Sequence, residues 1–330
     1  MNRFVAYNMP KIELHCHLDG SMSVDAVQRL LRKLGEEYSA EELAGRLRAP
    51  MDCGSLAEYL ERFDLPIRCL QDADGLREAA RDLAAAAAKE NVRYLEVRFA
   101  PSFSTAQGLS VRTVLESVRE GLSAAEQETG IVTGILACGM RNLDMETNLA
   151  MLKVAREFYG SGVVGCDLAG DERAYATARF ADFFHRAKEY GMPYTIHAGE
   201  CGSREEIRTA LDFGASRIGH GIAMKGDADL MRECAAKRIG VELCPTSNLQ
   251  TKAIRDIADY PLAEFLAAHV PVSVNTDNRT VSGTTCTDEF LRLSEAGMMN
   301  ERISEQVYRD SVEMCFAPDD VKHRLLSALF

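Results

Sequence analysis

The sequence predicts an α/β protein, a (β/α)8 TIM barrel with extra helices inserted after the first strand, and three observations carry that reading. Short aliphatic or β-branched runs alternate with long amphipathic stretches from one end to the other, the pattern of a parallel sheet covered by helices. The runs number eight. The chain has 330 residues, a size that one eight-stranded barrel fills.

Taken in order, the expected strands are Lys11 to His17, Val92 to Phe99, Ile131 to Cys138, Val163 to Leu168, Pro193 to His197, Arg217 to Gly219, Ile239 to Leu243 and Val270 to Asn275. Helices are expected between them, for example Leu76 to Glu90 and Ala174 to Tyr190, the latter ending at Gly191. The gap between the first two strands is too long for one crossover helix and should hold helices at Val24 to Leu34, Ala40 to Arg48 and Leu56 to Leu65. That insertion could serve as a lid or only as a cap on the barrel. A doubly wound sheet is the rival architecture, but Leu18-Asp19-Gly20-Ser21 follows the first strand where a glycine-rich phosphate cradle would be required. No linker or repeat divides the chain, so residues 1–330 are expected to form one domain.

Composition narrows the partners. Hydrophobic residues make up 46% and charged residues 27%, enough apolar material for a large core. Fifty acids against 38 Lys and Arg give a formal charge of -12, which repels nucleic acid polymers and anionic membranes. No stretch reads as a membrane span or a secretory signal, so a cytoplasmic location is expected. The ten cysteines lack paired CxxC spacing and read as reduced, mostly structural thiols. The sequence does not fix an oligomeric state.

Chemistry concentrates at the strand ends. His15 and His17 alternate to one side of the first strand, which in a barrel is the interior. His197 and His220 close the fifth and sixth strands, and Asp277 follows the eighth. Barrel active sites assemble at those ends. Three imidazoles and a carboxylate, His15, His17, His197 and Asp277, suit one Zn(II), with Fe(II) and Mn(II) as alternatives. Glu200, three residues after His197, is a candidate proton donor, since burial near a metal raises a carboxyl pKa; the alternative is that it only caps the helix beginning near Ser203. His220 could orient or deprotonate the attacking water.

With these residues in place the chain resembles the adenosine deaminase family of metal-dependent amidohydrolases. The resemblance rests on Pro10 to Ser21 (PKIELHCHLDGS), Asp167 to Glu172 (DLAGDE), Thr195 to Glu200 (TIHAGE), Arg217 to Gly221 (RIGHG), Glu242 to Asn248 (ELCPTSN) and Asn275 to Asp277 (NTD), in the family's order. It implies one zinc on His15, His17, His197 and Asp277, proton transfer from Glu200 to purine N1, and His220 placed to position and deprotonate the water. It further implies a Gly170 backbone contact to N3, Asp19 and His17 near the ribose 5'-hydroxyl, and Leu56, Tyr59, Leu60 and Phe63 as a hydrophobic gate. The implied reaction is hydrolytic deamination of a small-molecule purine nucleoside, adenosine and 2'-deoxyadenosine, to the 6-oxopurine and ammonia. Adenine, or a modified adenine nucleoside such as aminodeoxyfutalosine, is the alternative substrate. Asn278 departs from the pair of adjacent acids that many members carry, although its amide can still donate to purine N7. A non-catalytic binding protein and a hydrolase of another bond are the other classes weighed; retention of the whole set argues against the first and Glu200 against the second.

Overall fold

The computed structural model describes residues 1–54, 56–327 and 329, without the side chains of Leu56 and Ala57. Its eight strands are β1 (Lys11–His17), β2 (Val92–Phe99), β3 (Val132–Met140), β4 (Val163–Ala169), β5 (Thr195–Ala198), β6 (Arg217–His220), β7 (Gly240–Leu243) and β8 (Val272–Val274). They form two parallel four-stranded sheets, β1 to β4 and β5 to β8 in sequence order. Two seams close them into a barrel. At one, Cys166 N donates to Pro193 O at 3.1 Å. At the other, His17 N donates to Asp277 O at 2.7 Å and Asp277 N to His15 O at 2.9 Å. Between them the Asn275 side chain accepts from Leu14 N at 2.8 Å, replacing a missing ladder bond.

Prolines explain the late starts of two strands. Pro193 and Pro271 lack an N–H, so β5 and β8 each begin two residues later than expected, just past the proline, while both carbonyls still accept from the neighbouring strand. Helices cover the outside. The alanine-rich helix Ala73–Lys89, capped by Asp72, starts three residues before the expected Leu76 and packs against Val111–Thr129. Gly121 makes that crossing close, since a Cβ there would lie 2.3 Å from Arg77 O.

Two expected helices are corrected. Leu56 to Leu65 is not continuous: Leu56–Leu60 gives way to a 3-10 turn, Glu61–Phe63, and a new helix, Asp64–Cys69. Pro66 has no N–H for the Arg62 carbonyl and its ring would meet it, so the helix restarts. Ala174 to Ala176 also lie outside the helix; helical structure begins with Thr177–Phe180 and continues as Ala181–Glu189. Here Arg141 Nη1 donates to Tyr175 O at 2.6 Å and Thr177 N to Glu206 Oε2 at 2.7 Å, which draws the segment across the barrel mouth.

One large apolar cluster fills the space between barrel and helices, and a second packs Ile12 and Leu14 beneath Tyr308 and Val312 of the C-terminal helices. All ten cysteines are free thiols and all but Cys201 are buried. Among the described residues no helix is long and apolar enough to cross a membrane.

Candidate active site

The C-terminal ends of the strands open into one cavity of about 350 Å³, within the range small-molecule sites use. Its wall brings together His17, Asp19, Gly170, His197, Glu200, His220, Asp277 and Asn278, with Tyr59, Leu60 and Phe63 from the inserted helices. His15 lies beneath, with no exposed surface. Leu56 falls outside the residues whose side chains are described. A larger groove on the outside, between Ala73–Lys89 and Val111–Thr129, holds Arg29, Arg77 and Arg81, each already paired with a glutamate.

Strand alternation delivers the histidines as expected: His15 and His17 face the interior while Cys16 points outward into the apolar core. The ligating atoms of His15, His197, His220 and Asp277 all lie within 4.8 Å of one another. His17 joins them, its Nε2 3.4 Å from Asp277 Oδ1 and 3.2 Å from His197 Nε2. The backbone turns sharply where β6 and β8 end, and His220 and Asp277 take left-handed φ values of 62° and 60°. Such a conformation in a non-glycine residue costs about 1 kcal/mol or more and concentrates at functional sites. Gly219 leaves room beside the ring, since a Cβ there would lie 3.2 Å from His15 Cε1.

Each group is held from behind. His15 Nδ1 donates to Glu242 Oε2 at 2.8 Å, and His197 Nδ1 stands 2.9 Å from Asp167 Oδ2. Ser247 Oγ donates to Asp277 Oδ2 at 2.6 Å. Asn248 Nδ2 donates to His220 Nδ1 at 3.0 Å, and Tyr260 fixes that amide by donating to Asn248 Oδ1 at 2.9 Å. His220 Nε2 therefore carries the proton and faces the cavity, 3.7 Å from Glu200 Oε2. Glu172 accepts from Gly199 N at 2.8 Å and from Cys201 N, which clamps the turn that carries Glu200.

Burial sets the charge states. It pushes the Glu200 carboxyl up to about 8, helped by the negative charges of Asp277 and Glu172, so Glu200 holds a proton at neutral pH. It also pushes Asp19 up to about 6, and pulls His17, His197 and His220 below the ordinary histidine value. His15 goes the other way: burial and Arg98 oppose its proton, but Asp277 and Glu242 outweigh them. Asp277 is held well below the carboxylate range, because its histidine neighbours overcome the cost of burial.

The residues fit a divalent cation on two grounds. His15 Nε2 is buried without a hydrogen-bond partner. The buried charges under the site do not balance either: the guanidiniums of Arg98 and Arg217 meet the carboxylates of Glu96, Asp167 and Glu242, while Asp277 meets only His15 and His17, so two guanidiniums stand against four carboxylates. Sequence reasoning named none of the first five of these residues as part of the site. Their signal was present, as charges set into apolar strand runs (YLEVRF, GCDLA, RIGH, VEL) where an unpaired charge is prohibitively costly.

Fold and site together define a (β/α)8 barrel with a histidine-rich group at the strand ends that fits a metal ion. The adenosine deaminase family profile matches residues 10–330, and the chain belongs to the adenosine deaminase family. It is 39% identical to an adenosine deaminase of Enterococcus faecalis over 317 residues, covering 95% of this chain and 94% of the relative. Identity to an adenosine deaminase of Clostridium botulinum is 38% over 321 residues, with 96% and 97% covered. Among solved structures, an adenine deaminase from Arthrobacter aurescens superposes with a TM-score of 0.89 at 27% identity, covering 97% of this chain and 98% of that one. An Arabidopsis N6-mAMP deaminase gives 0.88 at 30% identity, with 99% of each covered.

Proposed function

We propose that the protein is a zinc-dependent aminohydrolase that converts adenosine and 2'-deoxyadenosine, with water, to inosine or deoxyinosine and ammonia. The observation that carries the reading is the meeting, in one cavity, of a metal-ligating cluster and a glutamate that burial keeps protonated. His15, His17, His197 and Asp277 would hold the zinc. A bound zinc supplies Lewis acidity, which gives a water-derived nucleophile at neutral pH.

The chain's own groups do the rest. Glu200 donates its proton to purine N1, which relieves the aromatic ring's resistance to attack at C6. His220, proton on Nε2, donates toward the attacking oxygen and orients it; the tautomer set by Asn248 supports this positioning part of its expected role. Asn278 reads N7, the Gly170 backbone N3, and Asp19 a sugar hydroxyl. Gly170 has φ +107°, a conformation that favours glycine, and lines the cavity, which brings backbone rather than a side chain to the ring. Leu60, Phe63, Ile67 and Phe103 supply the apolar cover that limits water.

A nucleoside is favoured over a nucleotide because Asp19, Asp64, Asp171, Glu200 and Asp277 line the cavity while, among the described residues, no Lys or Arg does. A phosphate dianion there would find no guanidinium or ammonium among these residues to pair with, and Asp64, Asp171 and Asp277 would repel it. The test is the ultraviolet change that accompanies loss of the 6-amino group when adenosine is mixed with metal-replete protein. A rapid change, abolished by chelation and by His15→Ala, is expected. Silence on adenosine with ammonia released from adenine would move the substrate, and silence on every 6-aminopurine would overturn the assignment.

A further inference from the structure

We propose that Arg98 is a positioning residue that fixes two of the metal-facing histidines at once, an inference that rests on the cluster being a metal site. Glu96 and Arg98 share the inward face of β2, one layer below the cavity, and Arg98 has no exposed surface. Its guanidinium forks. Nη1 donates to Asp167 Oδ2 at 2.9 Å and Nη2 to Glu242 Oε2 at 2.8 Å. These are the same two oxygens that face the histidines: Asp167 Oδ2 lies 2.9 Å from His197 Nδ1, and Glu242 Oε2 2.8 Å from His15 Nδ1. A second bond from Nη2, to Leu14 O, ties the fork to the backbone that carries His15.

His15 and His197 come from β1 and β5, in different sheets of the barrel. Each must present Nε2 as a lone pair to bind a metal, which requires the proton on Nδ1 and a fixed ionised acceptor for it. One rigid, planar cation serves both acceptors, and a lysine ammonium cannot, because it is a point charge without the fork. The two arms are unequally supported. Glu242 keeps a second guanidinium through its other oxygen, Arg217 Nε to Oε1 at 2.6 Å. Asp167 is otherwise held by Leu168 N at 2.7 Å and the weak Cys138 thiol at 3.8 Å. Losing the fork should therefore loosen the His197 arm more than the His15 arm.

The experiment measures cobalt(II) affinity of the full chain by chelator competition, together with the cobalt d–d spectrum. Arg98→Lys is expected to weaken binding about 10- to 100-fold, the range for partners behind metal ligands. In that background Asp167→Asn should cost less than it costs in the parent, whereas Glu242→Gln should keep most of its effect. Arg98→Lys that stays folded, binds cobalt within about twofold of the parent and leaves the spectrum unchanged overturns the proposal. A parent protein that binds no cobalt overturns the metal reading as well, which separates the two failures. If metal-free Arg98→Lys is unfolded by circular dichroism, Asp167→Asn and Glu242→Gln are compared singly and together. Losses that multiply within about twofold mean independent arms and defeat the proposal; a double loss short of that product supports the shared fork.

Discussion

Two buried charge clusters sit within one barrel and end differently. Where β8 returns to β1, Arg279 donates to Glu13 at 3.0 Å and also to Glu90, and Glu90 accepts further bonds from Thr287 N at 2.8 Å and Thr287 Oγ1 at 2.7 Å. Lys11, the other cation of that group, spends its three protons on the Ala6, Tyr7 and Met9 carbonyls. Two cations face two carboxylates, and their bonds are closed. Under the cavity two guanidiniums stand against four carboxylates, and His15 Nε2, His197 Nδ1, Arg98 Nε and Asn278 Oδ1 are left without hydrogen-bond partners. A cluster built for stability satisfies itself, because an unpaired buried charge is costly. One built for a ligand keeps the deficit that the ligand makes good.

The comparison breaks first at Glu200. Glu200→Gln keeps the shape and removes the proton, and the expected loss in kcat is about 10²- to 10⁴-fold, with thermal stability near that of the parent because the buried acid is already neutral. Steady-state kinetics decide it; a kcat within about tenfold would remove Glu200 as the proton donor, and the helix-cap alternative does not hold either, because Ser203 caps the helix that follows. Glu90→Gln is the counterpart at the closed cluster. It leaves Arg279 with one carboxylate, and a cost of about 3 kcal/mol is expected in denaturant unfolding, with kcat per folded molecule unchanged. Arg279 and Thr287 hold the Glu90 carboxyl below its ordinary value against the opposing cost of burial. Its stabilisation is thus present above the unfolded carboxylate pKa and lost as pH falls through the folded one, so the variant's deficit should shrink in acid.

Metal addition probes the open cluster in the opposite sense. An ion at about 100 times its Kd should stabilise the folded chain by about 2.7 kcal/mol, a rise of about 4 °C in Tm at the usual unfolding entropy per residue. Glu90→Gln should show the same rise from a lower start, and His15→Ala should show little. Equal shifts in His15→Ala and the parent would mean that the ion binds elsewhere.

Much of this was legible in the sequence, for a physical reason. Aliphatic runs mark strands that are buried on both faces, and alternation within His15-Cys16-His17 fixes which side chains share the interior, so the barrel and its ligand-bearing ends follow from local pattern. Pro66 broke a helix that hydrophobic spacing alone extended. The charged layer of Arg98, Asp167, Arg217 and Glu242 was visible as residue types but not as pairs, because each pair joins strands far apart in sequence. Tyr59 shows the same limit: spacing assigns it to an apolar gate, yet its hydroxyl bonds to Ser282 Oγ at 2.7 Å, which ties the inserted helix to the loop after β8.

The smallest effect lies at Glu289, which belongs to neither extreme. It has no exposed surface, accepts from Thr246 N at 3.0 Å and from Thr284 Oγ1, and meets no cation directly; Arg292, the nearest charge acting on it, donates instead to Thr246 Oγ1. Burial pushes its carboxyl up to about 7. The folded chain then holds a proton that the unfolded chain releases at about pH 4.3. Its contribution is full below that pH and is lost as pH rises toward 7, with a slope of at most about 1.4 kcal/mol per unit. Glu289→Gln should remove this slope. Urea unfolding at pH 5, 6, 7 and 8 should show the variant gaining on the parent by about 2.5 kcal/mol across the window, whatever constant offset the altered hydrogen bonds add. Parallel curves would mean that Arg292 keeps Glu289 ionised through Thr246, and the site would join the closed clusters.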